Sequence, residues 1–118
     1  MKKTIPYSVR QGDVLLVDAD YRGGMPIDAK PLKADGRGVV LMRGEVTGHA
    51  HVLPEEKVQY FDAAAERFVQ IIENLAPLEH EEHHAIPLDR AALVNPDGRL
   101  QQAFQVEDFG EEVRRVED

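Results

Sequence analysis

The chain contains no cysteine and a single serine, Ser8. Without thiols there is no disulfide frame, no thiolate metal site and no cysteine nucleophile. The lone serine has no histidine near it in sequence and no Gly-x-Ser-x-Gly elbow, so nucleophilic hydrolysis has little to draw on. Positive charge is also scarce: 14 Lys and Arg stand against 22 Asp and Glu, a formal charge of −8. That balance argues against nucleic acid or an anionic membrane as partner, since both select clustered basic residues. No apolar run approaches the roughly 20 residues of a membrane span. The opening Met1-Lys2-Lys3-Thr4-Ile5-Pro6-Tyr7 begins like a signal peptide, but Arg10, Gln11 and Asp13 interrupt it too soon. A cytoplasmic protein is the expectation. Gly23-Gly24 and Gly36-Arg37-Gly38 lack the spacing and the lysine of a phosphate-binding loop.

What remains is the composition of a globular protein, 42% hydrophobic and 31% charged over 118 residues, and residues 1–118 are expected to form one β-rich domain. Gly12-Asp13 opens a strand at Val14-Leu15-Leu16-Val17, an unbroken apolar run of the kind buried on both faces. Residues 21–33 read as a loop, and Val39-Val40-Leu41-Met42 as a second apolar strand. Arg43-Gly44 reads as a bend before an alternating strand over 45–53, and Val58 to Phe61 as a further short strand. Residues 62–76 allow two readings. Asp62 could cap a helix with Phe68, Ile71, Ile72 and Leu75 on one face, or residues 62–66 could turn into a returning strand at 67–72. The β-branched and aromatic content favours the strand. Asn95-Pro96-Asp97-Gly98 predicts a hairpin joining 91–94 to 100–106, and Asp108 with Glu111 predicts a short C-terminal helix. Many short strands broken by Gly and Pro turns indicate a mainly-β fold, a small barrel or a β-sandwich.

The chemistry lies in the histidines. All five fall in two clusters, His49-Ala50-His51 and His80-Glu81-Glu82-His83-His84. On an extended strand His49 and His51 share one face with Glu45 and Thr47, while Val46, Gly48, Ala50 and Val52 form the other. In the second cluster an extended chain would put His80, Glu82 and His84 on one face, whereas a turn would pair His80 with His83 or His84. Pro77 and Pro87 oppose a long helix there. A metal needs three or four ligands and each cluster can supply two. His49, His51, His80, His83 and His84 are the candidate ligands, and an all-N/O set points to zinc, iron, manganese or nickel without choosing among them.

Two resemblances bear on this pattern. Gly44, His49, His51 and Glu55 resemble the first cupin motif, in which a glycine precedes His-x-His and a glutamate follows. Gly44 is one residue too close, Asp62 stands at the closing glycine, and no second motif is recognisable, so Glu55 is not counted as a ligand. The resemblance implies a cupin-like barrel. More of the chain is similar to a group of small bacterial and phage-type proteins. It shares Arg10-Gln11-Gly12-Asp13-Val14, the Gly44-Glu45-Val46-Thr47-Gly48-His49-Ala50-His51 core, His80-Glu81-Glu82-His83, and a tail like Val113-Arg114-Arg115-Val116-Glu117-Asp118. That likeness implies strands at 66–73 and carries no activity over to this chain.

The leading expectation is therefore a His-rich protein that binds a divalent metal. As an enzyme it would use the metal as a Lewis acid or to activate water, with Glu45 or Glu82 as general base, on a substrate the sequence does not identify. The alternative is a non-catalytic β module for protein interaction, and self-association or a protein partner stays open in either case. Because His49 and His51 are read as polar-face residues, replacing both is expected to leave metal-free stability nearly unchanged.

Overall fold

The computed structural model describes residues 7–44, 48–94 and 96–103, and no α-helix occurs among them. Ten strands fall into two antiparallel sheets: β1 (Ser8–Gln11), β2 (Val14–Asp18), β3 (Lys30–Leu32), β4 (Val39–Arg43), β5 (Ala50–Leu53), β6 (Val58–Ala63), β7 (Glu66–Ile71), β8 (Leu75–His80), β9 (His83–Asp89) and β10 (Arg99–Ala103). The first sheet runs β1-β2-β10-β7-β6-β3 and the second β4-β5-β8-β9. The expected mainly-β architecture is present. Among the described residues it is two sheets and not a closed barrel.

The sheets face each other over a core of Val9, Val14, Leu16, Leu41, Leu53, Val58, Val69, Ile71, Leu78, Leu88 and Leu100. β2 is buried along its whole length. Val14 and Leu16 enter the main core while Leu15 and Val17 pack with Ala103 and Tyr21 on the opposite face, which is why this strand needs an unbroken apolar run. Polar links cross between sheets. Gln102 on β10 donates to the Leu41 carbonyl of β4 at 3.0 Å and accepts from the Tyr60 hydroxyl at 2.5 Å. Gln11 on β1 donates to Leu78 O at 3.0 Å and His84 O at 2.8 Å, joining β1 to the β8–β9 hairpin. Each satisfies a buried amide that would otherwise cost about 1–3 kcal/mol.

Pro77 and Pro87 face each other in the β8–β9 ladder. A hydrogen-bonded antiparallel pair exchanges two N–H donors, which two prolines lack, so the pair occupies a non-bonded position. The missing donor of Pro87 then lies on the free edge of β9, where it blunts pairing with another chain.

Several sequence expectations are met and several corrected. Residues 66–71 form a strand, returning from β6 through Ala64-Ala65. Ala64 accepts φ +55 there, a left-handed turn position. The stretch before β2, Ser8–Gln11, is a strand that was not expected, and Lys30–Leu32 is a short strand inside the expected loop. The hairpin at 95–98 does not form: Arg90–Ala92 is a 3-10 turn, and β10 pairs instead with β2 and β7. Side chains hold that segment in place of a ladder. Asp18 accepts from Val94 N at 2.7 Å, and Arg90 donates to Ile72 O and Pro96 O, each at 3.1 Å. The expected C-terminal helix over 108–116 lies outside the described residues.

Candidate functional site

Three hairpin ends place the histidines together. β1 and β2 meet at Gly12-Asp13, β4 and β5 are joined through 44–49, and β8 and β9 are joined by the two-residue turn Glu81-Glu82. That last turn makes His80 and His83 direct cross-strand partners. The turn reading of the second cluster is therefore the correct one, and the extended reading that grouped His80, Glu82 and His84 is not.

The expected strand over 45–53 is shorter than the alternation suggested. Gly48 adopts φ +74, His49 lies before the strand, and the ladder starts at Ala50. The polar-face assignment also needs correction. His51 is only 6% exposed, and Leu53 two residues on is fully buried on the same face. His51 thus points inward at the end of the core, not outward to solvent.

Around it the rings gather. His51 and His80 lie 4.3 Å apart between centroids, His80 and His83 4.7 Å, His51 and His83 5.8 Å, and His49 and His80 5.9 Å. His51, His80 and His83 bound a cleft of about 340 Å³ whose other walls include Gly12, Asp13, Met42 and Arg43. Two second-rank residues shape it. Gln11 Oε1 lies 2.8 Å from His51 Nδ1. A Cβ at Gly12 would stand 2.8 Å from His83 Nε2 and 3.4 Å from His51 Cε1, and Gly12 has φ +56, where a side chain is strained, so a residue here would press on the His83 ring.

The rim is acidic and clamped. Glu82 brings its carboxylate 2.7 Å from His49 Nδ1, an ion-pair approach without the alignment of a hydrogen bond, while its backbone N–H donates to His80 Nδ1 at 3.0 Å. Glu81 accepts from Ala50 N at 3.0 Å and pairs with Arg37 at 2.6 Å. The backbone amide of Ala50, its own amide and the Arg37 guanidinium hold the Glu81 carboxyl down to about 2. Arg37 also donates to Gly48 O at 2.8 Å, so this pair straps the 48–50 segment to the β8–β9 turn.

Of the expected site residues, His49, His51, His80 and His83 come together with Glu82 at the rim. His84 is exposed and contributes its carbonyl, through Gln11. Glu45 and Thr47 lie outside the described residues. Glu55 is exposed in the turn before β6 and joins none of the ring contacts. Ser8 is fully buried in β1. Among the described residues, no group of three or more His, Asp or Glu side chains is already posed as coordinating ligands. Sequence reasoning missed Gln11 and Gly12. The one signal was the Gly-Asp turn, whose neighbour in space could not be known.

Comparison with known proteins adds a family. A family model described as "Domain of unknown function (DUF8820)" matches residues 10–91. The chain belongs to this family. The matched span holds all five histidines together with Gln11 and Gly12. The DUF8820 description assigns no activity. Comparison with curated proteins and with solved structures finds no match to either. No helix among the described residues is long and apolar enough to cross a membrane.

Proposed function

We propose that this DUF8820 protein binds a divalent first-row transition metal in the cleft between the β1–β2, β4–β5 and β8–β9 hairpin ends. His51, His80 and His83 supply the imidazoles that line it. The observation that carries the reading is His51, a histidine 6% exposed whose ring stacks between core and cleft against histidines of a second hairpin. Solvated strand faces do not bury an imidazole. Without thiolates the donor set is nitrogen and oxygen, which suits zinc, iron, manganese or nickel. The rings are stacked and not yet converged on one point, so binding needs side-chain rotation. The half-buried His83 has a cleft of about 340 Å³ in which to turn.

If the protein is an enzyme, the metal would polarise a small substrate or activate water, and Glu82 at the rim would serve as base. A second reading, a protein-interaction module, draws on exposed Ile72 (49%), Leu75 (49%) and Val94 (70%) near the far end of β8. The two separate by thermal melts of untagged protein at pH 7.5 with zinc, manganese, iron(II) and nickel. A metal held only by the folded state raises stability by about 2.7 kcal/mol at one hundred times Kd. A rise with at least one metal, absent in His51→Asn, supports the metal reading. No shift with any of them rejects it.

A further inference from the structure

We infer that His51 and His80 are held in opposite tautomers and so take different roles: His51 presents an Nε2 lone pair to the cleft as a ligand, and His80 presents an Nε2–H as a hydrogen-bond donor. The roles rest on the metal reading above; the tautomers do not.

Gln11, one residue before the glycine turn, sets the His51 tautomer. The Gln11 side-chain nitrogen lies 3.0 Å from Leu78 O and 2.8 Å from His84 O. Both are backbone carbonyls, which only accept, so the amide nitrogen must face them and both its N–H groups are spent. Turning the amide over would set its oxygen against two carbonyl oxygens in a fully buried position. The orientation is therefore decided, and Gln11 Oε1 faces His51 Nδ1 at 2.8 Å as an acceptor. His51 must donate from Nδ1, and its neutral ring then carries the lone pair on Nε2. This is the arrangement that metal-bound histidines use, with the outer nitrogen's N–H given to a carbonyl oxygen.

His80 is set the other way. The Glu82 backbone N–H reaches its Nδ1 at 3.0 Å, and a backbone N–H can only donate. Nδ1 is the acceptor and the proton of the neutral ring sits on Nε2. To coordinate through Nε2, His80 would have to move that proton to Nδ1, placing two donors face to face, or give up the Glu82 bond. His80 also lines a second cleft of about 300 Å³, with Arg37, Ala50, Val52, Glu79 and Glu81, so the residue borders two spaces. A metal-bound water or an anionic ligand beside the His51-held ion is what such an N–H would address.

The test is a long-range nitrogen–proton correlation spectrum of the metal-free protein at pH 8, histidines assigned by single replacements. Protonated Nδ1 at His51 with protonated Nε2 at His80 supports the inference, and the same tautomer at both overturns it, whatever metals do. The roles are read from cobalt(II) titrations of His51→Asn and His80→Asn. Asparagine keeps a polar atom near the Nδ1 position and removes Nε2 in each case. If the assignment holds, His51→Asn weakens cobalt binding by well over about 100-fold while His80→Asn weakens it by about 10- to 100-fold at most, the scale of an outer-shell residue. Equal losses in the two variants overturn the division of roles. Failure of the wild type to bind cobalt, with opposite tautomers present, rejects the metal reading and leaves the tautomers standing.

Discussion

Replacing His51 with alanine should destabilise the metal-free protein, against the expectation drawn from the alternating sequence. The ring is 6% exposed and its Nδ1 partner, Gln11, is fully buried. Removing the ring strands Gln11 Oε1 with no donor, at about 1–3 kcal/mol. Lost burial of the imidazole carbons adds about 1 kcal/mol. The sum, about 2–4 kcal/mol, lowers the melting temperature by roughly 8–16 °C in a domain of this size. His49 offers a contrast, since its side chain is one third exposed and its contact is with the largely exposed Glu82. His49→Ala should cost under about 1 kcal/mol. His51→Asn should recover part of the loss by offering Gln11 an amide N–H. The assay is urea and thermal unfolding after chelator treatment, with the slope compared across variants to confirm two-state behaviour. A His51→Ala protein within about 0.5 kcal/mol of wild type would refute the placement of His51 in the core and the Gln11 bond together.

Three further outcomes follow from neighbouring contacts. Gly12→Ala should cost about 1–3 kcal/mol, because φ +56 is strained for alanine and the new methyl would meet His83 Nε2 at 2.8 Å; urea unfolding reads it, and a neutral result would mean the turn opens. Tyr60→Phe should cost about 1–2 kcal/mol by leaving Gln102 Oε1 unpaired inside the core, measured the same way. For Glu81 the folded pKa is lowered to about 2 from an ordinary 4.5. Its stabilisation is thus full above about 4.5 and is lost as pH falls through 2. Glu81→Gln should flatten stability against pH across that window, and an unchanged acid limb would show that the strap to Arg37 and Ala50 does not form.

Much of the fold was legible because it follows local rules. The run Val14 to Val17 announced a doubly buried strand, and β-branched residues at 67–72 outweighed a helical stripe. The misses come from distant partners. Asn95-Pro96-Asp97-Gly98 has turn chemistry, yet Asp18 and Arg90 capture the segment from 76 and a few residues away, which spacing does not reveal. The histidines were legible as a set of candidates from their clustering alone. That His51 points inward was not, because Val52 and Leu53 break the alternation at the point where the strand enters the core. Gln11, a polar residue in a short strand, gave no sign that it would orient an imidazole 40 residues ahead.

The central claim is tested most directly by equilibrium dialysis of the untagged protein against zinc at pH 7.5, with metal counted per chain. The account predicts about one zinc retained per chain by the wild type, and loss of that ion in His51→Asn while the variant stays folded. Zinc retained equally by both proteins, or by neither, would contradict it.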